Sequence, residues 1–175
     1  MRYVGILAVL GSWLHAATLQ QLSMEDVILK STAIVSGKVV GQATLMRGPV
    51  IYTRYRVHVA DQWKGIRCTD VDVFVPGGKH GSAVQTFSGS PSLQEGQDYL
   101  LFLWTSRNGL TQVIGLTQGL FEMKRDSKGE PVLLRLAGSD TMLDSSGKVV
   151  EDSPVSLRLR EMVDRIQRSL AGVGR

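Results

Sequence analysis

From Ile51 to Val59 the chain alternates strictly. Ile51, Thr53, Tyr55, Val57 and Val59 interleave with Tyr52, Arg54, Arg56 and His58. A strand turns successive side chains to opposite faces, whereas a helix would scatter this pattern around its axis. A half-buried strand with a basic outer face is therefore fixed here. Val71, Val73 and Val75 alternate with Asp70, Asp72 and Phe74 in the same way. Asp61 to Gly65 reads as the connection between the two, with Gly65 free to take a positive φ.

Ala33 to Val40 reads as a third strand, and Gly37 in its middle marks a bulge or sharp bend of the kind that lets a sheet curl. Tyr99 to Trp104 is apolar on both faces, which predicts a central strand covered on both sides. Asn108-Gly109 marks a tight turn into Leu110 to Leu116. Gly119 to Lys124 and Pro131 to Leu136 flank the turn Asp126 to Gly129. Short strands at this spacing predict a mainly β fold, a curled antiparallel sheet or an OB-like barrel, with its core over about residues 33–136.

Helices are expected only at the edges. Ser23 followed by Asp26 resembles a capping box opening a short N-terminal helix toward Lys30. Leu159, Met162, Val163, Ile166 and Leu170 form one apolar stripe of a C-terminal amphipathic helix over about residues 154–171. Its other face carries Arg158, Arg160, Arg165 and Arg168. Glu161 with Arg165 and Asp164 with Arg168 have i,i+4 spacing, which suits a solvated face on a helix packed against the sheet.

The first residues set the expected compartment. Arg2, the apolar run Tyr3 to Leu14 and the small residues Ala16-Ala17 read as an export leader over residues 1–17. The run is too short to span a bilayer, which takes ~20 apolar residues. The expectation is a single domain over residues 18–175, exported to the periplasm or outside the cell, without stable membrane insertion. Without the leader, 19 basic residues stand against 16 acidic ones, too mild an excess for a dedicated nucleic-acid binder. Cys68 is the only cysteine, so no intramolecular disulfide can form, and its surroundings read as a bland thiol at a strand start.

The order Ala33-Ile34-Val35-Ser36-Gly37-Lys38-Val39, the strand ending on Trp63-Lys64-Gly65, Val71-Asp72-Val73, and Glu95-Gly96-Gln97-Asp98-Tyr99-Leu100 resembles the netrin-like domain. That domain is an OB-type barrel found in tissue inhibitors of metalloproteinases and similar to a group of exported bacterial proteins of unknown function. The resemblance covers roughly residues 33–123 and implies a barrel. Those inhibitors reach the enzyme's zinc through an amino-terminal cysteine. Here the one cysteine is internal, so that mechanism does not carry over, and no functional residue transfers by position.

Chemistry-bearing motifs are sparse. Gly77-Gly78-Lys79-His80-Gly81-Ser82 lacks Walker spacing and reads as a turn and exposed loop. His58 and His80 are the only histidines after the leader and stand at no metal-binding spacing. There is no G-x-S-x-G elbow. Asp70 and Asp72 share a strand face, as a carboxylate pair or a solvated edge would. No catalytic residue, metal ligand or cofactor is assigned. The expected function is a non-enzymatic binding module for a protein or cell-envelope polymer; the alternatives are a modulator or inhibitor of an exported protease, which the resemblance suggests, and an enzyme of unrecognised type. Arg54, Arg56 and His58 on the strand face, and Lys79 and His80 on the loop, are the candidate contacts. Arg54 and Arg56 are the cationic neighbours that the sequence places beside His58 on this face.

Overall fold

The computed structural model of the chain describes residues 18–138 and 140–172; the export leader read over residues 1–17 lies outside them. The elements are β1 (Thr18–Gln20), α1 (Met24–Lys30), β2 (Ala33–Arg47), β3 (Val50–Lys64), β4 (Asp70–Pro76), β5 (Gly78–His80), β6 (Ala83–Gln85) and β7 (Asp98–Thr105). They continue with β8 (Thr111–Val113), β9 (Leu120–Arg125), β10 (Pro131–Arg135), β11 (Thr141–Leu143), β12 (Val149–Val150), β13 (Val155–Arg158) and α2 (Leu159–Ala171). The main sheet has eight strands in the order β13-β10-β9-β7-β2-β3-β4, with β8 also on β7, and every pairing in it is antiparallel. A small sheet joins β1 in parallel to β11 and β11 to β12, and β5 with β6 forms a separate hairpin.

The fold is mainly β, and the alternation read from β3 and β4 holds residue by residue. Tyr55, Val57, Val73 and Val75 are buried with Val35, Val39, Leu101, Leu103 and Val113 in one core. Because β4 and β8, the two flanks of this part of the sheet, contribute to the same core, the sheet must curl. Their Cα atoms come within 8 Å, but the two strands exchange no ladder among the described residues. The sheet is curled and not closed. On its other face, Ile34, Leu100, Phe102, Phe121 and Leu133 pack with Val27 and Ile28 of α1 and Met162 and Ile166 of α2. β7 supplies both cores and is buried on both sides, as its unbroken apolar run predicts.

Three short motifs hold the curl. At Gly37 the β2–β3 register slips, and a Cβ there would collide with the His58 carbonyl and lie 2.8 Å from Val57 Cγ1. Only glycine lets β3 approach so closely. In Trp63-Lys64-Gly65, Trp63 packs on the helix-side core. Lys64 Nζ donates to the Ile28 and Leu29 carbonyls, at 3.0 and 2.7 Å, satisfying the open end of α1. Burial pulls its pKa down. At the start of α1, the Ser23 hydroxyl accepts the Asp26 N–H at 3.0 Å. In Glu95 to Tyr99, the Gly96 N–H donates to the Val39 carbonyl at 2.8 Å and the Tyr99 hydroxyl accepts the Gln94 N–H at 3.0 Å.

Several expectations change. β2 runs on to Arg47 and β3 to Lys64, so Asp61 to Lys64 is strand and residues 65–69 make the connection to β4. The sheet continues past residue 136, and Val155–Arg158 is the strand β13 rather than the start of the helix, which begins at Leu159. Val155 and Leu157 alternate inward along β10, so period two wins over the helical stripe that starts after them. The strand read over Leu110 to Leu116 shortens to β8 because a turn follows, with Gly115 and Leu116 at φ 60 and 58. Arg165 leaves Glu161 and binds Glu25 of α1 with both Nε (2.9 Å) and Nη2 (2.8 Å), since the acidic first turn of α1 lies against α2.

The excursion after β10 is fastened by a buried ion pair. Arg135 and Asp152 meet bidentately at 2.7 Å on each arm, and the Gly138 N–H adds a third hydrogen bond at 2.7 Å. Their side chains are 11% and 3% exposed. Burial pushes the Asp152 carboxyl up, but Arg135 and the Gly138 N–H outweigh it and hold the pKa below its ordinary 3.8. The pair's contribution is therefore complete above that value and fades as pH falls through the lower folded-state pKa. Asp152→Asn should leave Arg135 uncompensated and cost about 3–5 kcal/mol in urea unfolding at neutral pH; its stability should also fall less steeply in acid than the parent's. Equal stability and equal acid slopes would contradict the clamp. Gly37→Ala should cost about 1–3 kcal/mol by overpacking against the β3 backbone, and an unchanged urea midpoint would show that the sheet does not need this close approach.

Candidate functional site

Arg54, Arg56 and His58 project together from the outer face of β3, opposite to the buried Tyr55 and Val57. The β3–β4 register sets Phe74 beside Arg54, Asp72 beside Arg56 and Asp70 beside His58. The basic row is thus answered by an acidic one. Asp72 lies 3.7 Å from Arg54 Nη1 and 3.2 Å from Arg56 Nε. Asp70 sits 3.1 Å from His58 Nδ1, so an anion, and not only the cations expected from sequence, is the close neighbour of that ring. Lys38, across from His58 on β2, pairs with Asp98 at 3.5 Å. Asp70 and Asp72 are occupied by this ladder and do not form an isolated carboxylate pair.

The ladder is uneven. His58 and Lys38 each have their own carboxylate, whereas Arg54 and Arg56 share Asp72 alone. On the β2 side, the bulge after Val39 places Gly41 opposite Arg56 and Ala43 opposite Arg54. Neither carries bulk. The result is an open notch of about 170 Å³ lined by Gly41, Gln42, Ala43, Arg54 and Arg56.

Lys79 and His80 lie elsewhere. The β5–β6 hairpin folds back against the β2–β3 ribbon, where Thr53 Oγ1 donates to the Gly77 carbonyl and Thr44 Oγ1 to the Lys79 carbonyl, both at 2.8 Å. Gly78, at φ 132, presses so closely that a Cβ would stand 2.6 Å from Thr53 Oγ1. The glycines are there to turn and pack the chain, and the Gly77 N–H is taken by the Ile51 carbonyl at 2.8 Å. Thr53 shares its face with Ile51 and Tyr55, so the exposed Lys79 and His80 stand on the other side of β3 from Arg54, Arg56 and His58. The two candidate groups are not brought together.

A second concavity has no counterpart in the sequence motifs. The segment after Ser90, with β7, β9 and β10, encloses a cleft of about 270 Å³ whose lining includes Tyr99, Thr117, Leu120, Glu122, Leu134 and Arg135. Burial pushes the Tyr99 hydroxyl pKa up. Glu122 lies beside Tyr99 across the β7–β9 pairing and meets Lys124 at 3.2 Å. Thr117 Oγ1 is buried and has no hydrogen-bond partner among the described residues. Its lining spans residues 90–137, and only Tyr99, within Glu95 to Leu100, belongs to a motif visible in the sequence.

Among the described residues, no group of three or more His, Cys, Asp or Glu side chains is placed to hold a metal ion. No helix among them is long and apolar enough to cross a membrane. Cys68 is exposed in the loop before β4, its N–H bonded to Gln62 Oε1 at 3.3 Å. Comparison with protein-family models, with curated proteins and with solved structures finds no match for the chain.

Proposed function

We propose that the protein is an exported, non-enzymatic binding module on an OB-type scaffold, which holds a carboxylate-bearing protein or cell-envelope polymer at the notch between Arg54 and Arg56. The observation that carries this reading is the count of charges at the notch: two guanidiniums share one carboxylate, Asp72. A guanidinium has five N–H donors in a planar fork that suits carboxylates. Each arginine keeps donors that Asp72 does not use. A second carboxylate, brought by a partner, would fit over Gly41 and Ala43, where no side chain stands in the way.

Support for the scaffold comes from the strand path. β2, β3 and β4 form a meander, β2 pairs in turn with β7, and β7 carries β8 back toward β4. In an OB-type barrel the strand face and the adjoining loops are the usual recognition surface. The export leader over residues 1–17 agrees with a partner outside the cytoplasm. Arg54 is half-buried with its side chain 40% exposed and the Arg56 side chain is 55% exposed, so each contact is weak by itself and salt will screen it. Useful affinity therefore calls for a partner with several carboxylates.

Titrating the protein with hexaglutamate, and with hexaglutamine as the neutral counterpart, separates charge from backbone binding. Saturable binding to hexaglutamate alone is expected, weakening as salt rises. Arg54→Gln with Arg56→Gln should abolish it while changing stability by only about 1 kcal/mol or less, as exposed charges do. A double variant that folds and binds hexaglutamate undiminished would sink the reading. So would one that unfolds, because the arginines would then belong to the packing.

A further inference from the structure

The cleft between β7, β9 and β10 lies on the concave side of the sheet, away from Arg54 and Arg56, and its chemistry is of the opposite sign. Its wall is apolar where Leu120 and Leu134 line it, and Leu136, 79% exposed, stands at its mouth. Six lining residues carry side-chain oxygens: Ser90, Ser92 and Gln94 from the loop before β7, and Tyr99, Thr117 and Glu122. The Tyr99 hydroxyl already accepts the Gln94 N–H. Thr117 Oγ1 is buried with no hydrogen-bond partner among the described residues, so a ligand reaches it once the Thr117 side chain turns toward the cleft. A buried hydroxyl in that state costs about 1–3 kcal/mol, and a ligand that donates to it recovers that loss.

Charge narrows the ligand further. Arg135 also lines the cleft, but Asp152 cancels its charge bidentately. Among the described residues, the Glu122 carboxylate pairs with Lys124 alone, 3.2 Å away, 53% exposed and two residues along the same strand. Such a pair is weak and easily displaced. The oxygens of Tyr99, Thr117 and Glu122 can each accept hydrogen bonds. A ligand that only donates, carries a positive head and has an apolar stem matches them. A guanidinium spreads its donors over a plane and can serve two acceptors at once, whereas an ammonium concentrates them at one point.

We infer that this cleft binds an alkylguanidinium group, the side chain of an arginine in a partner peptide or a free alkylguanidine, with its head on Glu122 and Thr117 and its stem along Leu120 and Leu134. This site is independent of the arginine notch and stands or falls separately from it.

The test is an NMR titration of the full chain, following backbone amides with Nα-acetyl-arginine methylamide, agmatine, and the equivalent capped lysine and norleucine. Saturable shifts at Leu120, Glu122 and Leu134 are expected with both guanidinium compounds, weaker ones with lysine and none with norleucine. Glu122→Gln should weaken binding about ten-fold or more, since it removes a charge-assisted pair, and Thr117→Val should weaken it several-fold. Arg54→Gln with Arg56→Gln should leave it unchanged. Tighter binding of the capped arginine supports a peptide partner, and equal binding of agmatine supports a free alkylguanidine. If Glu122→Gln fails to fold, Thr117→Val carries the comparison. Absence of saturable binding, equal binding of norleucine, or full binding by folded variants would overturn the inference.

Discussion

A strand with apolar side chains on both faces has to be covered twice, and β7 imposes that requirement on the whole molecule. Leu101 and Leu103 look into the concave core with β2, β3 and β4, while Leu100 and Phe102 look out toward the two helices. Each such side chain is worth about 1.5–3 kcal/mol when removed from water, so no arrangement that covers only one face is competitive. On the convex side the covering is made by α1, α2 and Phe121, whose ring meets Phe102 edge-on at 5.9 Å. On the concave side the sheet itself does the covering by curling. That curl depends on Gly37, where the backbones of β2 and β3 approach too closely for any side chain.

Much of this was legible in the sequence because it rests on local periodicity. The faces of β3 and β4, the double burial of β7, the bend at Gly37 and the Ser23 cap are all set by residues within a few positions of one another. What stayed hidden rests on pairing between distant segments. The sequence shows that Arg54, Arg56 and His58 share one face and that Asp70 and Asp72 share another. Only the β3–β4 register shows that the two rows meet. β11 and β12 are too short to carry a pattern. Arg165 binds Glu25 rather than Glu161 because α1 and α2 pack together, which no helical spacing records. The cleft beside Tyr99 is assembled from segments separated by up to several dozen residues.

The motifs that resemble the netrin-like domain are accounted for by packing. Lys64 closes the end of α1, Gly96 ties the turn before β7 to Val39, and Tyr99 braces that turn at Gln94. None of these three faces the arginine notch, but Asp72 of Val71-Asp72-Val73 pairs with both of its arginines. The two surfaces proposed for binding lie on opposite faces of the sheet with opposite charge, and each borrows one residue of these motifs, Asp72 at the notch and Tyr99 at the cleft. A partner that carried both carboxylates and a guanidinium group could engage them independently.

The fold rests on a sheet that curls around β7 without closing. The phase of the β3–β4 ladder, set by the Val59 N–H on the Thr69 carbonyl and the Gly77 N–H on that of Ile51, turns the backbone groups of Asp72 and Phe74 away from β3. Likewise the Ile114 N–H on the Phe102 carbonyl turns those of Thr111 and Val113 away from β7. Native-state amide hydrogen exchange reads this directly. Leu100 to Leu103 should exchange only through global unfolding, while Asp72, Phe74, Thr111 and Val113 should exchange through local opening at far lower free energy. Protection at those four amides equal to that of β7 would mean that β4 and β8 pair and the barrel is closed, contradicting the account.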